Sequence, residues 1–539
     1  MGIPVFSVAQ IREIEAQADA LGYAYETMMQ DAGRAVAERA VILLEGIEGP
    51  RVTVLCGKGN NGGDGLVAAA ELTVLVPGIQ VRAYLLDRRE GDLLVETAQD
   101  RGVFLSYAED DHDGRVVKHM SASADLVIDA LFGIGVRLPI RDTAQRVMRY
   151  VRQSLNERSS ARRAKTLLDA AAPGQIQRPP KQYVLAVDCP SGTDCDSGAA
   201  DSVAIQADIT MTFIAAKPGL LTFPASGLAG QLFVVPLNMP ESLKLEKLAK
   251  TTVTDNETAR ELLPARPLDG HKGTFGRVLV LAGSDEMPGA AGLAALSAYR
   301  AGAGLVEVAT TPAAMRVLQA NLLEAVWTPL DTAVIETVLE RLSAANALVI
   351  GPGMGSKDLA ATVIISMLKH AQDDYAKLPV LIDADGLNAL AAMNDWPKML
   401  PANAILTPHP GEMARLTGVT TGDVQKDRLA LAAKSAADWN AIVVLKGAHT
   451  VVAAPDGRVA VSPFKSDALA KGGTGDVLSG LIGALCAQGL KPYDAAVAGV
   501  YIHGLAGMIA AERTGYSASV LASEVADAIP AALGRISGG

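Results

Sequence analysis

Residues 51–73 read RVTVLCGKGNNGGDGLVAAAELT, and the order of residue types in this stretch decides the fold class. RVTVLC is an apolar, β-branched run of strand length, GKGNNGGDG is a glycine-rich loop, and LVAAAELT opens a helix. A buried strand feeding a glycine loop and a helix is the unit of an α/β protein, whose parallel sheet is covered by helices and binds ligands beyond its strand ends. Working outward, apolar runs at residues 81–85, 126–130, 184–187, 209–214 and 232–235 supply further strands, separated by helical or irregular stretches. Upstream, Ile11, Ile14, Ala18, Leu21, Met28, Ala32, Val36 and Val41 recur at mostly helical spacing, predicting one or two helices over residues 9–44.

A second strand series covers residues 277–282, 305–309, 347–350, 380–383, 404–406 and 442–445, with helical stretches such as AAGLAALSAYRAG and residues 360–369 between them. HTVVAAPDGRVAVS reads instead as a hairpin, because two β-rich runs flank a DG turn. Between the two series, PLNMPESLKLEKLAKTTVTDNETA (residues 236–259) is polar, so domains are expected over 1–240 and 241–539. NERSSARRAKTLLDAAAPGQIQRPPKQ (residues 156–182) interrupts the first series without adding an apolar strand and is expected to be a surface insertion containing a short helix.

A chain of 539 residues exceeds one ordinary core, and 49% hydrophobic against 20% charged residues marks it as globular, not disordered. The formal charge of -11 is not offset by any basic block, which argues against a nucleic-acid partner. A small phosphate ligand stays open, since it needs only local amides, a metal or one or two cations. Cys56, Cys189, Cys195 and Cys486 form no close ligand or redox pair by spacing, so reduced thiols in a cytoplasmic protein are expected. The first twenty residues carry acids where a secretory leader has its apolar core, and no run reaches roughly 18 uninterrupted apolar residues, so no membrane association is expected.

In the 57–65 loop, several backbone amides can turn toward a phosphate, and Asn60 or Asn61 can offer a carbonyl oxygen to a cation. Asp64 adds negative charge there and is expected to cap backbone amides or take a ribose hydroxyl. DLVIDALFGIGVRLP places Asp129 ahead of Gly133 and Gly135, and YVLAVDCPSGTDCDSG places Asp188, Ser191 and Asp194 after a strand. Oxygens from these separate loops can enclose a hard cation, while Asp188 can act as an acid/base group or cap the CPSG turn.

These three strings resemble the N-terminal epimerase domain of the bifunctional NAD(P)H-hydrate repair family over residues 9–235. The resemblance implies a Rossmann-like domain that interconverts the R and S hydrates of NADH and NADPH and binds potassium. It implies Asn61, Asp129 and Ser191 as potassium ligands. It implies hydrate binding by Asn60, Asn61, Gly62, Gly63 and Asp64, by the loop Gly133, Ile134, Gly135, Val136, Arg137, Leu138 and Pro139, and by Asp188, the expected catalytic carboxylate. Push from the ring nitrogen and one proton carrier suffice for inversion, so the chemistry requires no redox cofactor.

LAKGGTGDVLSG sets Gly472, Gly473, Gly475 and Asp476 before an apolar helix. Amides at 473–475 can stabilise charge on a transferring phosphoryl group, and Asp476 can take the proton of an attacking hydroxyl. The string is neither a Walker loop nor a protein-kinase loop. Together with HKGTFGRVLVLAGS, GPGMG at 351–355, LIDADGLN, TPHPGE and VLKGAHT, it resembles the C-terminal dehydratase domain of the same family over residues 253–536. That implies a ribokinase-like domain converting the S hydrate to NAD(P)H with ADP, releasing AMP and phosphate, with ATP as the donor in eukaryotic members. It implies substrate contacts at Ala290, Gly355, His409 and Asp476, and nucleotide contacts at Lys446, Gly447, Ala448, His449, Thr450 and Gly475. Magnesium is expected with the phosphate donor, and a homo-oligomer is expected from the family.

Several roles stay open on the residues themselves. Asp383, Asp385 and Glu412 are expected in the active cleft, without a decided metal role. His409 can orient substrate or merely serve its turn, Lys446 can contact phosphate or be a strand-end surface charge, His271 can sit in a ligand loop or take a structural or solvent-facing role, and His449 carries no comparable catalytic argument. A small-molecule kinase and a noncatalytic dinucleotide-binding protein are the rival readings.

Overall fold

The computed structural model describes residues 2–163, 181–330, 335–355 and 358–538. They form two compact units, residues 4–249 and residues 250–539 together with the first three, so the division falls inside the polar 236–259 stretch.

Strands are numbered along the chain, beginning with β1 (Ile3–Pro4), which joins the second unit's sheet. The first unit's sheet holds β2 (Arg51–Cys56), β3 (Gln80–Leu85), β4 (Phe104–Tyr107), β5 (Leu126–Ala130), β6 (Tyr183–Val187), β7 (Ile209–Phe213) and β8 (Gln231–Val235). Their order is β4-β3-β2-β5-β6-β7-β8, every pair parallel. The chain starts at β2, runs outward to β4, then returns to the other side at β5. That reversal opens a crevice beyond the carboxyl ends of β2 and β5, the usual ligand position in such a sheet. Two apolar clusters pack its two faces, one built around Val54, Ala69 and Ile128, the other around Leu55, Val127 and Met148.

The helix after β2 begins earlier than the sequence suggests. It spans Asn60–Leu75 with Gly59 as N-cap, so NNGGDG forms its first turns and is not loop. Its glycines serve close approach. A Cβ at Gly62 would collide with the Gly57 carbonyl, and one at Gly65 would lie 2.6 Å from the Ala130 Cβ. The glycines therefore seat the helix against the ends of β2 and β5. The two predicted N-terminal helices are Val8–Ala20, closed by a Ser7–Gln10 capping box, and Tyr25–Leu43. Of the expected insertion, the start belongs to the helix Asp142–Arg163, while residues 164–180 lie outside the described residues.

The second unit contains β9 (Thr251–Val253), β10 (Arg277–Leu281), β11 (Leu305–Thr310), β12 (Val326–Pro329), β13 (Ala347–Ile350), β14 (Val380–Ile382), β15 (Ala404–Leu406), β16 (Ile442–Leu445), β17 (Val451–Ala453) and β18 (Val459–Val461). The order is β1-β9-β18-β17-β16-β15-β14-β13-β10-β11-β12. From β16 to β12 the pairing is parallel, whereas β16-β17 and β17-β18 are antiparallel, so the DG hairpin forms as read. Here the reversal lies at β10, between β13 and β11. The apolar helix Thr474–Ala487 packs into the core on one face, beside the helix Pro492–Thr514. Pro492–Thr514 is long and apolar enough to cross a membrane, but 78% of its apolar window is buried inside the protein, as in a core helix.

Candidate active sites

At the first unit's switch point, a cavity of about 450 Å³ is lined from four directions. Ile11, Arg12 and Glu15 come from the first helix, and Lys58, Asn60, Asn61 and Asp64 from the β2 connection. Residues 131–136 follow β5, while Asp188, Phe213 and Lys217 come from the ends of β6 and β7.

Asp188 leaves β6 with φ 66°, a left-handed backbone rare for a residue other than glycine. Its amide donates to the Met211 carbonyl at 2.7 Å. Its Oδ1 accepts from Lys217 Nζ at 2.7 Å and from Thr212 Oγ1 at 3.1 Å, and its Oδ2 accepts from the Ile134 amide at 3.3 Å. Lys217 is only 1% exposed and also donates to Thr212 Oγ1 at 2.6 Å and to the Phe213 carbonyl at 2.9 Å. A buried ammonium with three oxygen partners holds Asp188 as an oriented, charge-compensated carboxylate. Sequence reasoning missed Lys217. Its signal is a single charge set directly beyond an apolar run, in TFIAAKPG.

Asp129 and Ser191, both fully buried, meet in the interior. Ser191 donates through Oγ to Asp129 Oδ1 at 2.5 Å and through its amide to Oδ2 at 2.8 Å. Burial pushes the Asp129 carboxyl up to about 6, against the pull of these two bonds and of the Leu131 amide. Both polar atoms of the Asn61 amide are buried without a hydrogen-bond partner. A Cβ at Gly133 would lie 3.1 Å from Asn61 Oδ1 and 3.2 Å from Asp188 Oδ2, so a side chain there would crowd both groups. Of the remaining predicted residues, Gly133, Ile134, Gly135 and Val136 line the cavity. Gly62, Gly63, Arg137, Leu138 and Pro139 do not. The expectation that Asp64 caps backbone amides is corrected: the helix has no side-chain cap, and Asp64 faces the cavity one turn in.

Cys189 and Cys195, which spacing does not mark as a pair, are also brought together. Both are buried and reduced, and their hydrogen-bonded thiols, with burial, push Cys189 well above the usual thiol range.

In the second unit, a cavity of about 510 Å³ lies at the carboxyl edge of the sheet. Ala290, Asp385, His409, Glu412, Gly473 and Asp476 are among its walls. Gly473 takes φ +93° as N-cap of Thr474–Ala487, so the helix starts with its amides toward the cavity and Asp476 in its first turn. Burial first, then the negative charges of Asp383, Asp385 and Glu412, push Asp476 up to about 7, while Lys446 pulls it down.

A charged floor supports this loop. Asp383, 1% exposed, accepts from Lys446 Nζ at 2.6 Å and from Ser479 Oγ at 2.7 Å. Lys446 also approaches Glu412 Oε2 at 3.8 Å. Burial disfavours its charge, yet Asp383 and Glu412 more than compensate and hold its pKa above the ordinary lysine value. A Cβ at Gly475 would lie 3.4 Å from Lys446 Nζ, so β16 and the glycine loop converge on one point.

His409 is the N-cap of Pro410–Thr417: its Nδ1 accepts from the Gly411 amide at 2.9 Å, and Glu412 Oε2 accepts the His409 amide at 2.7 Å. It therefore serves its turn and lines the cavity as well. The Gly355 amide donates to Asp385 Oδ2 at 2.8 Å. Gly447 and Ala448 are exposed, and Thr450 Oγ1 donates to the Gly447 carbonyl at 2.8 Å. The His449 ring is buried against the Ser462 carbonyl at 2.9 Å, and burial lowers its pKa to about 4. Among the described residues, no three His, Cys, Asp or Glu side chains are placed to hold a metal ion.

Strand orders that reverse beside each cavity put the chain in the class of two-cleft α/β proteins that bind small ligands at sheet edges. Comparison with known proteins narrows that class. Residues 25–219 match the family described as YjeF-related protein N-terminus, and residues 278–531 match NAD(P)H-hydrate dehydratase. The bifunctional NAD(P)H-hydrate repair enzyme Nnr of Moorella thermoacetica is 37% identical over 93% of this chain and 91% of its own length. The Escherichia coli enzyme of that name is 34% identical over 95% of this chain and 90% of its own. A solved ADP/ATP-dependent NAD(P)H-hydrate dehydratase from Bacillus subtilis, co-crystallised with ATP and Mg2+, is 35% identical. It covers 53% of this chain and 98% of its own, with a TM-score of 0.46. The chain belongs to the bifunctional NAD(P)H-hydrate repair enzyme family, with a Rossmann-like domain followed by a ribokinase-like one.

Proposed function

We propose that the first unit interconverts the R and S hydrates of NADH and NADPH, and that the second dehydrates the S hydrate with ADP, releasing AMP and phosphate. The observation that carries this reading is Asp476, facing a cavity from the first turn of a glycine-led helix with a carboxyl poised near 7. A base so poised takes a proton from a hydroxyl at neutral pH, and the adjacent amides steady the charge of a transferring phosphoryl group. Hydroxide is a poor leaving group. Once phosphorylated, the C6 oxygen departs as phosphate while the N1 lone pair forms a C6=N1 double bond, and loss of a proton from C5 then returns that pair to N1 and restores the C5=C6 bond of the dihydronicotinamide ring.

Ala290, Gly355 and His409 contact the hydrate, and Gly475 with residues 446–450 contacts the nucleotide. Magnesium comes with the phosphates, completing its shell with ligand oxygens and water. In the first unit, Asn60, Asn61, Asp64, residues 133–136 and Asp188 bind the hydrate within the cavity they line. Asn61, Asp129 and Ser191 hold potassium, a fit supported by the partnerless buried Asn61 amide. Bound there, the ion would supply positive charge to the site. The protein acts in the cytoplasm as a homo-oligomer.

The test supplies R and S hydrates with ADP or ATP separately to the wild type, Asp188→Ala and Asp476→Ala. The reading expects loss of R-hydrate processing in the first variant and of nucleotide-dependent NAD(P)H formation in the second. A stable phosphorylated product with no NAD(P)H would make the second unit a small-molecule kinase instead.

A further inference from the structure

Asp64 is a carboxyl for which the reading above gives only a binding role. It lines the same cavity as Asp188, and among the described residues no group hydrogen-bonds or ion-pairs with its side chain. Around that cavity stand Arg12 and Glu15 from the first helix, Lys58 from the β2 connection, and Asp188 and Lys217 from the strand ends. Asp188 is matched by the Lys217 ammonium at 2.7 Å, while Asp64 has no such cation. Burial, then the negative charges of Asp188 and Glu15, push Asp64 well above the usual carboxylate range. One cavity therefore presents a carboxyl with no hydrogen-bonding or ion-pairing partner among the described residues and an ammonium-paired carboxylate, and such divergent environments are what separate an acid from a base.

Resting on the epimerase reading, we propose that Asp64 is the proton donor of hydrate inversion and Asp188 its complementary acceptor. Asp64 gives its proton to the C6 hydroxyl. The C6–O bond breaks, the oxygen leaves as water, and the N1 lone pair forms a C6=N1 double bond. Water then adds to the opposite face of C6, the π electrons return to N1, and the proton shed by that water goes to Asp188. Atoms and electrons balance: one proton leaves Asp64, one arrives at Asp188, and no oxidant or reductant takes part. Exchange with solvent restores the pair, and the reverse inversion uses the two groups in exchanged roles.

The experiment follows R/S interconversion of NADPH hydrate in ¹⁸O-water by the full-length wild type, Asp64→Asn and Asp64→Glu. In the wild type, every inverted molecule is expected to carry ¹⁸O. Asp64→Asn is expected to lose about 100-fold or more in kcat with KM nearly unchanged, and Asp64→Glu to recover part of that loss. Inversion with the original oxygen retained overturns the proposal, because the hydroxyl then never departs. Asp64→Asn within about threefold of wild-type kcat, or a loss confined to KM, also overturns it. Where Asp64→Asn does not fold, judged by its thermal melt, the wild-type isotope result decides. A wild type that fails to invert at all overturns the epimerase reading itself, whereas normal wild-type inversion with an active Asp64→Asn removes only the role of Asp64.

Discussion

Asp476 and Asp188 are both cavity-facing carboxylates, and their neighbours give them different behaviour. Asp476 lies among Asp383, Asp385 and Glu412 with one nearby lysine, and its carboxyl titrates at about 7. As a base it works only when deprotonated, so kcat/KM for dehydration should rise about tenfold per pH unit below that midpoint and level off above it. A pH–rate profile checks this, and a flat profile from pH 5 to 8 would contradict it. Asp476→Asn should abolish nucleotide-dependent dehydration yet melt no lower than wild type, since it removes a buried, repelled charge. Asp188 instead shares a buried ion pair. Lys217→Met should cost about 3–5 kcal/mol in denaturant unfolding by leaving that carboxylate uncompensated, and Lys217→Met with Asp188→Asn should cost less than the single change. Asp188 and Asp476 were legible because each follows an apolar run or a glycine cluster. Lys217, Ser479 and the Lys446–Asp383 pairing were not, because a lone lysine or serine near an element end is usually solvated, and only its distant partners distinguish it.

Elements show a similar division. Runs of β-branched residues marked nearly all the central strands, whereas the edge strands β4 and β12 escaped notice. An edge strand is covered less fully and needs no continuous apolar run, and β4 has no fully buried position, with Phe104 exposed and the next three residues half-buried. The NNGGDG segment was read as loop because glycine disfavours helix locally, and contacts with β2 and β5 override that preference. Gly62→Ala is the test. Local propensity favours alanine by about 1 kcal/mol, but the added methyl would strike the Gly57 carbonyl. The variant should therefore be less stable by about 1–3 kcal/mol in chemical denaturation, with epimerisation lost as the helix start moves.

The whole molecule consists of two units with separate apolar clusters, each large enough to unfold cooperatively. Calorimetry should resolve two transitions. ADP at about 100 times its dissociation constant should stabilise only one of them, by about 2.7 kcal/mol, and hydrate-derived dinucleotide should act on both. A shift of both transitions by ADP alone would contradict the assignment of nucleotide binding to the second unit.

Residue order by itself determined the α/β class, the two strand series and the presence of a helix at each glycine-rich string. These are written in local hydrophobic period and in glycine placement, which neighbouring residues read without the rest of the chain. Only the tertiary structure decided which charges meet: Lys217 with Asp188, Lys446 with Asp383, and Asp64 with no ion-pair partner among the described residues. Protonation and orientation depend on through-space distance and burial, and Ser479 and Asp383, 96 positions apart in sequence, become neighbours only when the sheet assembles.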